Sequence, residues 1–444
     1  METTTTVAAV PQRSLIPRHM PSLDSIRGIA VLMVIVFHGF GGYNWRDAYG
    51  DFWGGLASTL VGVGRFGVNV FFVLSGFLIT GLLFKAHDRK DYYLNFYIRR
   101  VLRIVPVYVV VLVILKIWHV VDFRFVAAAL LFLANFSRLF GAPLNEYGPV
   151  WSLAVEEHFY LFWPTCVRRF QEKVLLRLLL LVIVSEPLLR FAAIHISNHI
   201  DIHYKTPFVL DFLAYGALLS LLIRTHRIHL DNVVRIGSAI LGVSAVLSFL
   251  VIWLSAFHMG PTIDALADLP FTWGACGVLL LGLKRDHVQL ERTGRTDARG
   301  ILPFYGYISY GLYLINVLVY NKTEGFLFRH IRHESLRSLA VFSAVVLTCI
   351  AISTVLAYLS RRYFEGPILS LKNKWQHRST QPSGGTGASA ANVNHQVEQR
   401  VLGNDGNDPG VDLEVRSGSL LDRKGIKEAR ILPSAALPRE PDGQ

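Results

Sequence analysis

The sequence predicts an all-α polytopic membrane protein with about ten transmembrane helices, one additional re-entrant or interfacial helix and a disordered C-terminal tail. Three observations carry this. Hydrophobic residues make up 52% and charged residues only 17% of 444 residues. Apolar segments recur along most of the chain, and Lys and Arg gather at their ends. The mean hydropathy of +0.40 belongs to a chain dissolved in lipid rather than water.

The segments follow in order. Gly28 to Gly42 is apolar apart from His38 and leaves through Tyr43 and Trp45, an aromatic exit suited to the interface. Phe66 to Phe84 ends at Lys85, and Ile104 to Val121 begins after Arg99, Arg100 and Arg103. Phe125 to Phe136 is only about a dozen residues, against the roughly 20 that a spanning helix needs, so it reads as re-entrant or interfacial. Trp151 to Val167 enters through Trp151 and ends at Arg168 and Arg169. Val174 to Ile194, Phe208 to Ile223, Ile236 to Trp253, Leu266 to Leu283, Ile301 to Tyr320 and Leu339 to Ser360 complete the set.

The basic residues orient these spans. With the N-terminus inside, the cytoplasmic loops receive Lys85 to Arg103, Arg168 to Lys173, Arg224 and Arg227, Lys284 to Arg299, and Arg361 with Arg362. The outer loops carry fewer, with Lys322 to Arg337 as the basic exception. The bias supports ten spans with both termini cytoplasmic. Arg13 and Arg18 precede the first apolar run, but no small-residue cleavage site follows, so a retained helix is expected rather than a signal peptide. The division is a cytoplasmic segment 1–20, a membrane domain 21–370 and a polar tail 371–444 with no sustained apolar period. A second catalytic domain is not visible in that tail.

Composition also removes function classes. The net charge of +12 sits where membrane lipids and topology account for it, so no nucleic-acid partner is expected. Cys166, Cys276 and Cys349 lie in apolar stretches without metal or disulfide spacing, so no metal site is expected. No inverted repeat of the kind found in secondary transporters is visible.

A charged side chain at the centre of a membrane helix costs about 2.5 to 3.5 kcal/mol, so intramembrane ionisable residues are candidates for function. His38 is the first, with a titration range suited to a general base; the competing reading is a packed histidine bonded to another helix. Arg27 stands eleven residues earlier. On a helix it would share a face with His38, about 16 Å away along the axis. Arg27 could alternatively snorkel to lipid phosphates. Arg100 and Arg103 are neighbours on one helical surface at the same expected level, making a phosphate-binding surface possible or simply a positive-inside cluster. In Trp151 to Pro164, Glu156 and Tyr160 are i, i+4 partners, and Glu156 lies deep enough to approach the level of His38. Glu156 and Glu157 could equally be an acidic cap or half of a buried ion pair. Gly67 to Phe77 reads as a helix with a small-residue contact face.

Taken in order, these segments resemble the membrane-bound acyltransferase 3 family, bacterial enzymes that O-acylate carbohydrates and some smaller molecules. Asp24 to His38 is similar to its opening motif, Phe71 to Phe77 with Ser75 to its second, and Arg100-Val101-Leu102-Arg103 with Pro106 to its RxxR stretch. Trp151 to Tyr160 resembles WSLSVEEQFY, and Ile308 to Leu314 and Tyr363 to Pro367 resemble the last helices, so the likeness covers about Pro21 to Leu369. Two positions depart. Asn316 stands where a histidine is common, and Asn69 where an acid is frequent. Some relatives carry a soluble SGNH-type hydrolase domain, which is not expected here.

The resemblance implies a bacterial inner (cell) membrane enzyme. It has no bound cofactor, takes acyl-CoA, most simply acetyl-CoA, as co-substrate, and acylates a carbohydrate or glycolipid acceptor. It implies donor binding by Arg27, Arg100 and Arg103, catalysis by His38 with Glu156 orienting the imidazole or the acceptor, and support from Asp24, Glu157, Tyr160 and Ser75. Alternative functions are acylation of an antibiotic-like molecule or lipochitooligosaccharide, and a non-enzymatic membrane carrier.

Overall fold

The structure is a computed structural model that describes residues 20–143, 146–196, 202–225, 227–228, 230–256, 266–294, 299–330 and 338–370. The expected polar tail and the segment before Met20 lie outside these residues. Among the described residues there are twelve α-helices and no strand. They are α1 (Pro21–Phe40), α2 (Trp45–Gly62), α3 (Gly67–Ala86), α4 (Tyr92–Ile117), α5 (Phe123–Leu130) and α6 (Pro149–Arg169). The rest are α7 (Glu172–Ile196), α8 (Leu210–Arg224), α9 (Leu230–Ala256), α10 (Asp268–Thr293), α11 (Ile301–His330) and α12 (Leu339–Leu359).

Each of the ten apolar segments falls on its own helix, namely α1, α3, α4 and α6 to α12. Among the described residues, five helical stretches are long and apolar enough to cross a membrane: Pro21–Phe40, Trp45–Ala86, Asn232–Leu254, Ile301–Thr323 and Leu339–Ser370. The short apolar stretch is broken in two, α5 and a 3-10 turn at Ala134–Phe140, with Phe132 at a positive φ of 56° between them. Its Tyr108 contact explains where it rests: that hydroxyl donates to Ala129 O at 2.8 Å, and the Tyr108 and Phe132 rings stack at 5.3 Å. The helix α2 has no counterpart in the sequence reading. Its acids and glycines dilute the apolar period, and Gly50, at φ 74°, turns the chain inside it.

The helix that carries Arg27 and His38 is held at both ends. Pro21 opens α1 without an N–H to satisfy, and the next donor, Ser22 N–H, reaches the Asp286 carboxylate of α10 at 3.1 Å. Ser22 Oγ donates to the same carboxylate at 2.6 Å, so a buried acid caps the positive end of the helix dipole. At the other end Phe40, Tyr43 and Trp45 pack together, with the Tyr43 ring 4.9 Å from both Trp45 and Phe342.

Helix pairs α1 with α11 and α3 with α8 are among those that touch backbone to backbone through glycine. A Cβ on Gly306 would stand 1.9 Å from Asp24 O, and one on Gly28 2.1 Å from Leu302 O, which brings α1 and α11 together. Gly76 and Gly216 do the same for α3 and α8, with Cβ distances of 2.0 Å and 1.9 Å to Leu213 O and Val73 O. Neither neighbour is a side chain that could move aside. Gly306→Ala is expected to destabilise the solubilised protein by about 1–3 kcal/mol. Gly62→Ala, where a Cβ meets nothing within 4 Å, should leave Tm unchanged in the same thermal melt.

The order of contacts gives each pair its direction. In α1 and α11, Asp24 meets Gly306 and His38 meets Asn316, so they run parallel. Helices α3 and α8 are parallel through Val73 with Gly216 and Gly81 with Arg224. Helices α3 and α6 are parallel through Ser75 with Tyr160 and Thr80 with Trp163. Antiparallel pairs are α4 with α6 (Tyr92 to Pro164, Tyr97 to Leu161) and α9 with α10 (Gly237 to Gly277, Ser244 to Pro270).

Candidate active site

Four of these helices, α1, α3, α4 and α6, together with α11, enclose a cavity of about 340 Å³. Its walls are largely apolar, from Phe71, Phe72, Leu78, Ile79 and Ile104. Into it converge Arg27 from α1, Ser75 from α3, Arg100 and Arg103 from α4, and Glu156 and Tyr160 from α6. The helical period explains the last pair. Residues 152, 156 and 160 stack on one face of α6, and Ser152, Glu156 and Tyr160 all line the cavity.

The polar groups are arranged as a chain of contacts. Tyr160 donates its hydroxyl proton to Glu156 Oε2 at 3.1 Å, and Ser75 Oγ lies in hydrogen-bond contact with the same phenol oxygen. The Arg100 guanidinium stands 4.9 Å from the Tyr160 ring centroid and 5.8 Å from that of Phe96, a cation–π seat that fixes its direction. Arg27 is bonded to Asp24 at 3.0 Å on its own helix. Among the described residues, neither Arg100 nor Arg103 is ion-paired, and both line the cavity. Glu157, next along α6, is outside this lining, and its Oε1 is buried without a hydrogen bond.

His38 sits apart from this group. It does not line the cavity, and its Nδ1 is 2.8 Å from Asn316 Oδ1 on α11. Glu156 therefore has Tyr160 as its hydrogen-bond partner, and the imidazole has Asn316, where the sequence reading gave Glu156 the orienting role as one option. Tyr313 joins the two places. Its backbone carbonyl accepts from Asn316 Nδ2 at 2.6 Å, while its side chain lines the cavity and shares a 2.6 Å hydrogen bond with Ser152 Oγ.

The departure at Asn69 has a structural reason. Its amide donates to Asp268 Oδ1 and Thr272 Oγ1, each at 3.2 Å, so an acid here would face a second carboxylate.

A buried polar cluster escaped the sequence reading. Arg190, fully buried, holds the Asp211 carboxylate with two bonds of 3.0 and 2.8 Å, and Asp211 N–H donates to Glu186 Oε2 at 2.8 Å. All three lie inside the segments Val174 to Ile194 and Phe208 to Ile223, so the cost argument that singled out His38 would have found them. Satisfied on every side, they bind α7 to α8. Cys276 and Cys349 are buried in the helix packing, and Cys166 is half-buried.

An all-helical, apolar chain with a cation-lined internal cavity defines a membrane-protein class rather than one activity. The family model described as an acyltransferase domain matches residues 20–358, so the chain belongs to the acyltransferase 3 family. A Staphylococcus aureus (strain MSSA476) protein with the provisional name of an O-acetyltransferase is 27% identical over 331 residues, covering 67% of this chain and 50% of its own length. The peptidoglycan O-acetyltransferase of Listeria monocytogenes is 32% identical over 186 residues, 38% of this chain and 27% of the relative. The chain thus spans about half the length, or less, of these relatives. No solved structure matches it.

Proposed function

We propose that this chain transfers an acyl group, acetyl from acetyl-CoA, to a hydroxyl of a sugar in a cell-surface polysaccharide or glycolipid. The observation that carries the reading is the meeting of Arg27, Arg100, Arg103 and Glu156 from three helices in one apolar-walled cavity, with two of the guanidiniums free of ion pairs. Guanidinium forks match phosphate oxygens, which suits the nucleotide end of CoA. The pantetheine arm would then run along α1, about 16 Å from Arg27 to His38.

In the reaction, the acceptor oxygen bonds to the thioester carbonyl carbon, the carbon–sulfur bond breaks, and CoA leaves as thiolate. His38 removes the hydroxyl proton and returns it to the sulfur. Glu156, with its proton-sharing partners Tyr160 and Ser75, positions the acceptor; Asp24 steadies Arg27. A covalent acyl-histidine is the alternative course of the same chemistry. Ten crossings, with both termini cytoplasmic in a bacterial cell membrane, fit this division of labour. Counting α1, α3, α4 and α6 to α12 as successive crossings, every parallel pair above joins two odd or two even members, and both antiparallel pairs join one of each.

The name of the Listeria relative adds peptidoglycan to the acceptor classes. Mass spectrometry of surface glycans tests the reading. Deleting the gene should remove an acetyl ester that the wild-type gene restores. Complementation with Glu156→Gln should restore less than about a tenth of it, the loss of one positioned charge at a reacting centre. Unchanged glycans in the deletion strain would refute the proposed acceptor class.

A further inference from the structure

We infer that Asn316 is a positioning residue that holds His38 in the tautomer protonated at Nδ1, leaving Nε2 as the atom that takes the acceptor's proton. The inference rests on the reading of His38 as the base and names its working atom.

Asn316 is wholly buried on α11, and its Nδ2 donates to two backbone carbonyls, Leu312 O at 2.9 Å and Tyr313 O at 2.6 Å. Carbonyl oxygens only accept, so turning the amide over would set Oδ1 against both of them, trading two hydrogen bonds for two buried oxygen–oxygen contacts. The orientation is therefore chemically imposed. Oδ1 must face His38, and an amide oxygen has no proton to give. The 2.8 Å contact requires the proton to be on His38 Nδ1.

Neutral imidazole carries one N–H, so Nε2 keeps its lone pair. No hydrogen bond among the described residues occupies it. The helices cannot slide to relax the pairing. Gly28 and Gly306 lock α1 to α11 by backbone contact, and Tyr320 donates to Ile35 O at 3.3 Å one turn from His38. The non-titrating amide gains a purpose here. It accepts from Nδ1 at any pH, which a second imidazole would do only in one of its own tautomers.

The test reads the tautomer directly. Full-length protein labelled with ¹⁵N-imidazole histidine gives the His38 signal by difference from His38→Gln, without reliance on activity. A protonated Nδ1 and a bare Nε2 are expected in the wild type. Asn316→Leu should shift the signal towards the Nε2-protonated form, and Asn316→Asp, which keeps an oxygen opposite Nδ1, should keep Nδ1 protonated. Acyl transfer in Asn316→Leu should fall at least about tenfold, in the manner of other bases that lose their orienting acceptor. A wild-type signal protonated at Nε2, or an Asn316→Leu signal identical to wild type, overturns the inference. Should the tautomers behave as expected while no variant or wild type transfers acyl groups, the positioning stands and the proposed reaction fails.

Discussion

Replacing His38 with alanine is expected to reduce acyl transfer by about 100- to 10,000-fold, the range that a positioned general base contributes. Acetyl-CoA binding should fall far less, because the guanidiniums proposed to hold its phosphates lie about 16 Å from His38 along the helix axis and are left intact. The separation is built into the geometry. His38 bonds to α11 through Asn316, whereas Arg27, Arg100, Arg103 and Glu156 line a cavity that does not include it. Radiolabelled donor binding and transfer, measured on equal amounts of membrane-inserted protein, report the two effects independently. Transfer within tenfold of wild type would remove His38 from the chemistry.

Loss of Arg100 or Arg103 should have the opposite profile. Each residue lines the cavity, and neither has an ion-pair partner among the described residues. A hydrogen bond to a charged group is worth about 1.5–3 kcal/mol, so Arg103→Ala should weaken acetyl-CoA binding about 10- to 150-fold. Turnover at saturating donor should change far less, since uniform binding is what has been lost. Arg103→Lys keeps the charge but not the planar fork and should recover only part of the affinity. Added salt should narrow the difference between wild type and variant if the ligand's anionic end is the target. A Kd unchanged in both variants would place the phosphates elsewhere. Arg100 has a second duty over the Tyr160 ring, at 4.9 Å, so Arg100→Ala should also lower turnover.

Much of this organisation is written into local patterns. The ten apolar segments each became a helix because a run of apolar residues has one way to satisfy its backbone in lipid. Glu156 and Tyr160, four residues apart, met as helical geometry dictates, and Arg100 and Arg103 opened into one cavity for the same reason. What was hidden depends on contacts between helices far apart in the chain. The His38 and Asn316 pair is separated by 278 residues, and nothing in either segment announces the other. The Ser75 contact with Tyr160 depends on where α3 settles against α8, which glycine backbones decide. The Arg190, Asp211 and Glu186 cluster was legible in kind, as three ionisable groups inside apolar segments, but its pairing was not.

The resemblance to known acyltransferases implies roles, and the geometry gives the two candidate groups different hydrogen-bond partners. Glu156 accepts a hydrogen bond from Tyr160, whereas the His38 imidazole meets Asn316 of α11. His38 and Glu156 lie on different helices, and Tyr313 stands between them, its side chain lining the cavity and its carbonyl accepting from Asn316.

The most direct measurement supplies acetyl-labelled CoA to inverted membrane vesicles containing the wild-type protein, His38→Ala or Arg103→Ala, matched for protein amount. Alkali-labile label on glycan is expected with the wild type, almost none with His38→Ala, and recovery by Arg103→Ala only when donor is raised. Equal labelling by wild type and His38→Ala, or no labelled ester from any of them, would contradict it.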